Sequence, residues 1–400
     1  MLAHSPPLPL IIDYFSLKKD ITTEDEEGII LALEKRDRIR RVRLTLTFPK
    51  LQRIILAIDG EYPMLEYLIV GPLMGENSTA LMLSERFQAP RLCHLLLKGF
   101  PLPMESRLVT TAVGLVTLTL ILGHPSTYFQ PNSILQLLSF MPRLETFGIN
   151  FSYTVSDDDV ERQLMHTPTM THITLPSLRS FVFRGVSAYM RALAFWLTTP
   201  RLEKLEIDFN QLTFSVPPLL QFMETTENFR FDSVKLEFDF SKNRFFVGMY
   251  LREDAGTYAL SMNVYYWDLD GEVVSFVAHI FNSLGQIFST VEHLTFEHRR
   301  PSRSSEEHID VDRSEWRRLL RSFSNVKTLR VNGRLVKELS SCLRLDDGEL
   351  PLELLPKLQE LTYWGPIWGA GYARDAFRSF ADARQNAGRP IALMHRRYRH

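Results

Sequence analysis

One short phrase recurs along the chain and constrains everything else: an apolar residue, two variable residues, an apolar residue, one variable residue, another apolar. It stands as Leu65-x-x-Leu68-x-Val70, Leu92-x-x-Leu95-x-Leu97, Leu115-x-x-Leu118-x-Leu120, Leu144-x-x-Phe147-x-Ile149, Leu178-x-x-Phe181-x-Phe183 and Leu202-x-x-Leu205-x-Ile207. It returns as Phe231-x-x-Val234-x-Leu236, Val291-x-x-Leu294-x-Phe296, Val326-x-x-Leu329-x-Val331 and Leu358-x-x-Leu361-x-Tyr363. Successive first residues are 27, 23, 29, 34, 24, 29, 60, 35 and 32 apart, and Ile39-x-x-Val42-x-Leu44 adds a unit at the front. The interval of 60 reads as two units, the middle strand being the alternating stretch Leu260, Met262, Val264, Tyr266. One short strand per unit of roughly 20 to 50 residues is the signature of a solenoid, here with the spacing of leucine-rich repeats. The expected fold is therefore α/β: an irregular leucine-rich-repeat solenoid with a parallel concave β-sheet and helical or irregular outer segments.

No single unit of such an array buries its own apolar face, so stacking supplies the core. Alternation along each strand sends the anchors inward and their in-between neighbours outward. With the strands in register, Arg184, Asp208, Glu237, Glu297, Asn332 and Trp364 are expected to form one row, and Glu206, Lys235, Thr295 and Arg330 part of another. Together with His293 these define the candidate partner-binding residues: Arg184, Glu206, Asp208, Lys235, Glu237, His293, Glu297, Arg330, Asn332 and Trp364. Arginine and tryptophan carry much of the energy in protein interfaces, so Arg184, Arg330 and Trp364 lead that set.

A repeat array grows in one dimension, so 400 residues need not divide into globular domains. One array is expected: a cap region over 1–38, about twelve repeats over 39–364, and a C-terminal cap and tail over 365–400. The polar, serine-rich stretch 299–312 reads as a flexible surface loop. A formal net charge of -1 gives no general attraction to nucleic acid or acidic membranes. Two cysteines, Cys93 and Cys342, supply neither a disulfide framework nor a zinc cluster. No secretory leader and no apolar run of membrane-spanning length is visible. An intracellular monomer is expected, in cytoplasm or nucleus.

Proline stands two residues before the first anchor at Pro63, Pro90, Pro142, Pro176, Pro200 and Pro356, where it should halt a preceding helix and favour extended chain. Helical spacing marks Glu24 to Lys35, Ser133 to Phe140, Ser187 to Leu197, Val273 to Phe288 and Ser314 to Phe323. The run Asp157-Asp158-Asp159 suits a helix N-terminus. Phe240 to Tyr258 is the least regular stretch and reads as a hairpin-like insertion.

Catalytic constellations are not found. His293, His298 and His308 are the only local concentration of histidine, and alternation splits them between sheet face and loop. Neither cysteine has a histidine at a nucleophile's spacing, and the glycine-rich phosphate loops, dinucleotide fingerprint and serine elbow have no match. Asp268-Leu269-Asp270-Gly271-Glu272 opens like a calcium loop, but position twelve is His279, so a turn is expected. Asp346-Asp347-Gly348-Glu349 reads as a second turn, and Arg389 with Arg396, Arg397 and Arg399 as a solvated basic tail. No catalytic, cofactor or metal residues are assigned.

The phrases PPLPLIIDY (6–14), EDEEGIILALEKRDRIRRVRL (24–44), VERQLMHTP (160–168), TTPRLEKLEIDFNQLTFSVPPLLQFM (198–223), LRSFSNVKTLRV (320–331) and LRLDDGELPLELLPKLQELTY (343–363) resemble the fungal F-box-associated, leucine-rich-repeat-like proteins of mushroom-forming species. The resemblance covers nearly the whole chain. It implies a substrate receptor of a cullin-RING ubiquitin ligase, in which an N-terminal F-box docks on Skp1 and the repeats recruit the substrate. No stretch here reads as the F-box, and Leu8 to Phe15 looks like the strand that follows it in relatives, so Skp1 is implied only if an F-box lies upstream. The buried asparagine that usually follows the strand occurs in full only in Leu202-x-x-Leu205-x-Ile207-x-x-Asn210-x-Leu212. The expected function is a non-enzymatic recognition module, the substrate-binding part of an F-box (SCF-type) receptor. The alternative is an interaction scaffold with no ubiquitin-ligase role; an enzyme with an unfamiliar site is the third reading.

Overall fold

The computed structural model describes residues 8–15, 21–73, 80–152, 155–166, 171–209, 219, 222–223, 226, 229–239, 244–252, 256–265, 273–283, 288–298, 313–332, 335–344, 352–365 and 375–397. The chain divides into two compact units, Met1–Glu203 and Lys204–His400. Each is a mixed α/β layer structure built on a mostly parallel sheet.

The first unit contains β1 (Leu10–Phe15), β2 (Ile39–Leu46), β3 (Tyr67–Pro72), β4 (His94–Lys98), β5 (Thr117–Leu122), β6 (Thr146–Phe151), β7 (Ile173–Thr174), β8 (Ser180–Gly185) and β9 (Leu197–Thr198). Its main sheet runs β1-β2-β3-β4-β5-β6-β8 with every pairing parallel, while β7 and β9 form a separate short parallel pair. The recurring phrase is what makes these strands. Its anchors, such as Leu68, Val70, Leu95, Leu97, Leu118 and Leu120, are all at most 2% exposed, and burying each side chain contributes ~1.5–3 kcal/mol. Helices cover the anchor side. Tyr189, on helix Ser187–Trp196, packs its ring 4.7 Å from Phe151 and 6.2 Å from Phe183.

The prolines do something other than stop helices. In each such unit the first anchor's N–H donates to the carbonyl three residues back: Leu65 to Tyr62, Leu92 to Ala89, Leu144 to Met141, Leu178 to Leu175, Leu202 to Thr199 and Leu358 to Leu355. Proline therefore occupies the second position of a β-turn, where its fixed φ is already suitable. Beyond the turn one carbonyl ties neighbouring strands by accepting twice. Glu66 O takes Cys93 N (2.9 Å) and His94 N (3.0 Å), and Glu292 O takes Lys327 N (2.8 Å) and Thr328 N (3.0 Å).

The second unit contains β10 (Lys204–Phe209), β11 (Ser233–Asp239), β12 (Arg244–Tyr250), β13 (Leu260–Tyr265), β14 (His293–His298), β15 (Thr328–Asn332), β16 (Glu360–Gly365) and β17 (Ala392–Arg397), in the order β10-β13-β12-β11-β14-β15-β16-β17. This corrects the sequence reading in two places. The strand at Leu260 does not stand between β11 and β14, which pair directly; it lies beside β10, and β12 runs antiparallel to both β11 and β13. The cause is local: only four residues separate β11 from β12, too few for a parallel crossover and right for a hairpin. The insertion expected over 240–258 is thus a hairpin strand, and the sheet is not wholly parallel. The second correction is the basic C-terminus, which up to Arg397 is a strand paired in parallel with β16, not a solvated tail.

Trp316, on helix Arg313–Arg321, packs against Phe238 of β11 (5.4 Å) and Phe296 of β14 (5.8 Å), so here too helices cover the anchor side. The expected helices are present as Thr23–Leu33, Pro131–Ser139, Asp157–His166, Ser187–Trp196, Val273–Ser283 and Arg313–Arg321; Phe48–Ile55, Leu335–Leu343 and Arg378–Asn386 were not expected. The loop 299–312, the acidic turns at 268–272 and 346–349, Asn210, Leu212 and His308 lie outside the described residues.

Candidate recognition surface

In the second unit the residues between the anchors form rows across the face opposite the helices. One runs Glu206, Ser261, Gly248, Lys235, Thr295, Arg330, Thr362, Met394. A second includes Asp208, Asn263, Phe246, Glu237 and Glu297, and further along Asn332, Trp364 and Arg396 are paired. Neighbours within a row are separated by about 4.8 Å, the strand spacing.

At the centre Lys235 Nζ lies 2.7 Å from Glu297 Oε2 and 3.6 Å from Glu237 Oε2. Burial is the largest influence on Lys235 and lowers its pKa, but the hydrogen bond and charge of Glu297, aided by Glu237, together outweigh it and the pKa is raised. Tyr258 lies over Gly248: a Cβ built there would stand 2.0 Å from the ring. Phe246 (5.1 Å) and Tyr250 (4.5 Å) pack on the same ring, making an aromatic patch beside the ion pairs. Arg396 places its guanidinium 5.9 Å from the Trp364 ring.

The residues chosen from the sequence are therefore only partly neighbours. Lys235, Glu237 and Glu297 are brought together, with Arg330 in the row of Lys235 and His293 paired with Ser233 and Thr328. Asn332 adjoins Trp364. Glu206 and Asp208 do not adjoin Lys235 and Glu237 as expected, because β12 and β13 intervene. Asp208 is 8% exposed, so it is not the surface carboxylate that alternation suggests. Arg184 is exposed on the first unit's face, paired with Asn150.

That face carries a group the sequence reading did not select. Asp13 pairs with Arg43 across β1 and β2, and Arg41 pairs with Tyr67 and Tyr67 with His94 across the next strands. Arg41 stacks over Tyr67 (4.4 Å) and Arg43 over Phe15 (4.2 Å). Tyr67 and His94 have ring centroids 5.6 Å apart. Asp13 Oδ2 is 3.9 Å from both guanidinium groups. The signal was available: the unit Ile39-x-x-Val42-x-Leu44 places Arg41 and Arg43 outward by the same alternation.

Burial pushes the Cys342 thiol up to about 12, which leaves it protonated and unreactive. Among the described residues no three histidine, cysteine, aspartate or glutamate side chains are grouped to hold a metal ion, and no helix is long and apolar enough to cross a membrane. A cavity of about 410 Å³ in the first unit lies between residues 82–86 and 101–108, with Met82, Arg86, Pro101, Glu105 and Arg107 among its walls. The chain matches no protein-family model and no curated protein.

Proposed function

We propose that this protein is a non-enzymatic recognition module of the irregular leucine-rich-repeat type, binding a protein partner through the sheet faces opposite its helices. The observation that carries this reading is the register-aligned row of the second unit, where Lys235, Thr295 and Arg330 lie on three adjacent strands. Rigid strands fix such side chains at set spacings, so a partner meets a preorganised pattern and binding orders little else. The mixture of charge, aromatic rings and arginine fits protein recognition better than binding to a polyanion.

The finer reading rests on the resemblance: the module is the substrate-binding part of an SCF-type ubiquitin-ligase receptor acting inside the cell, with Skp1 engaged through an upstream F-box. A scaffold without a ligase role is the second reading. Affinity purification of tagged chain from its own cells, beside a form extended to any in-frame upstream F-box, separates them. Recovery of Skp1 and cullin with either form supports the receptor, and recovery of neither with stable partners present supports the scaffold.

A further inference from the structure

The cluster on the first unit's face has a chemistry of its own. Across the rows of β1 to β6 and β8 the cations are Arg41, Arg43, Lys98 and Arg184, and the carboxylate is Asp13 alone. Arg41 and Arg43 stand two residues apart on β2, so their Cα atoms are separated by about 7 Å along the strand. Stacking on Tyr67 and Phe15 holds each guanidinium by its flat face and leaves its in-plane N–H groups for a bidentate acceptor. Asp13 does not fill that role. At 3.9 Å it is within ion-pair range but beyond a hydrogen bond.

Beside this pair the face turns apolar. Arg43 pairs with Ile69 and Ile69 with Leu96, and Val182 continues the same row beyond Thr119 and Gly148. Leu96 is two strands from Arg43, about 10 Å away. An extended chain covers that distance in about three residues.

We propose that this face binds an acidic segment of a partner protein, with two carboxylates seated on Arg41 and Arg43 and a large apolar side chain, about three residues away, lying on Ile69 and Leu96. The proposal rests on the recognition reading above and names the partner's chemistry. Asp13 is then a resident competitor that holds the arginines in place until a better-placed carboxylate displaces it. A nucleic acid would find only two clustered cations beside an apolar stripe, where phosphate tracking needs an extended basic path.

The test is selection of twelve-residue peptides from a random displayed library on the full chain, followed by fluorescence anisotropy of the enriched peptides. Expected are peptides with paired acidic residues and a large apolar residue about three positions away. R41Q/R43Q should weaken them roughly tenfold or more, and R41K/R43K, which keeps the charge but loses the fork, should weaken them too. D13N should tighten them severalfold, an effect of opposite sign that a purely structural ion pair does not produce. R330A/W364A on the other unit should leave them unchanged.

Enrichment of nothing, enrichment without acidic residues, or indifference to R41Q/R43Q in a protein that unfolds at the wild-type temperature overturns the proposal. So does a dodecathymidylate probe that binds more tightly than any peptide. Loss in R330A/W364A alone also overturns it, while the recognition reading survives on the second unit. The ligase reading fails or stands separately, on recovery of Skp1 and cullin.

Discussion

Arg384 offers a sharp test of how the turn into β16 is held. It lies on helix Arg378–Asn386, is 1% exposed, and donates to four main-chain carbonyls: Leu354 (3.5 Å), Leu355 (3.2 Å), Pro356 (3.3 Å) and Leu358 (3.2 Å). Those carbonyls belong to the turn leading into β16, where Leu355 is held at φ 50, a left-handed backbone that a leucine adopts only when its surroundings insist. In R384M an apolar side chain of similar length replaces the arginine, and the carbonyls of Leu354, Pro356 and Leu358 lose this donor, while Leu355 O keeps the Leu358 N–H. Each orphaned buried group costs ~1–3 kcal/mol, and at these long distances the lower figure applies. Against three such losses, about 3 kcal/mol together, stands the relief of no longer burying a charge, about 1–2 kcal/mol once its hydrogen bonds are counted. The net expectation is a destabilisation of about 1–2 kcal/mol. For a unit of this size that is roughly 2–8 °C in Tm. Differential scanning calorimetry of the full chain should show the transition containing the second unit fall while the other is unmoved. R384K should fall in between, since one ammonium cannot reach all four carbonyls. A Tm for R384M equal to or above wild type would refute the reasoning and make Arg384 a tolerated burden.

Three further outcomes follow from the geometry. Gly248→Ala should lift Tyr258 off the sheet, losing ring contacts to Phe246 and Tyr250 worth ~0.5–1.5 kcal/mol each against ~0.5–1 kcal/mol gained by removing a strand glycine; a net loss of about 1 kcal/mol and a weaker near-ultraviolet tyrosine signal are expected, and a stabilised variant would contradict the packing. Lys235→Ala and Glu297→Ala should couple by about 1 kcal/mol in a double-mutant cycle at neutral pH. Because the folded pKa of Lys235 is raised, that stabilisation is full below its ordinary value near 10.4 and is lost as pH climbs through the folded value; coupling that persists at higher pH would count against the ion pair. Asp157 accepts from Ala188 N at 2.7 Å and caps a helix whose own N-cap, Val186, cannot. Burial is the largest influence on Asp157 and raises its pKa, so its ionised form costs stability as pH rises above 3.8. Asp157→Asn keeps an acceptor and should be at least as stable as wild type at pH 7, losing that advantage near pH 3, whereas Asp157→Ala should lose ~1 kcal/mol with the cap; a destabilised Asp157→Asn at pH 7 would show that the charge itself is needed.

What the sequence revealed and what it hid have physical reasons. Each repeated phrase became a strand because alternation along one strand is a local property, and the anchors Leu68, Leu118, Leu205 and Leu329 are buried as that property requires. Strand order is not local. Leu260 to Val264 alternates as a strand should, yet its place beside β10 depends on the hairpin before it, which single-strand periodicity does not encode. The turn role of the prolines was hidden because the same proline both stops a helix and begins a turn; the bond from Leu65 N to Tyr62 O decides between them. Arg384 was invisible for a similar reason: its carbonyl partners lie 26 to 30 residues away.

The candidate surface was legible in outline and misread in detail. Outward alternation put Glu237 and Glu297 in one row and Lys235 in another, and ion pairs join the two rows. It failed at Asp208, which is buried despite its outward register. Tyr258 lies outside any strand and reaches the face only by folding back over Gly248, so no spacing announces it. Arg41 and Arg43 were within reach of the same rule, but the front unit carried the pattern without drawing notice to its side chains.

The most direct test of recognition through the sheet faces is quantitative affinity purification with substitutions placed on opposite sides. One variant combines Lys235→Ala, Arg330→Ala and Trp364→Ala with R41Q/R43Q; the other replaces exposed residues of the helical side, Leu56→Ser, Met165→Ser and Phe195→Ser, which are 78%, 79% and 50% exposed. Loss of the recovered partners in the first variant and their retention in the second, with both unfolding near the wild-type temperature, is the predicted result. Partners kept by the face variant and lost by the helical-side variant would place recognition on the helices and contradict the proposed function.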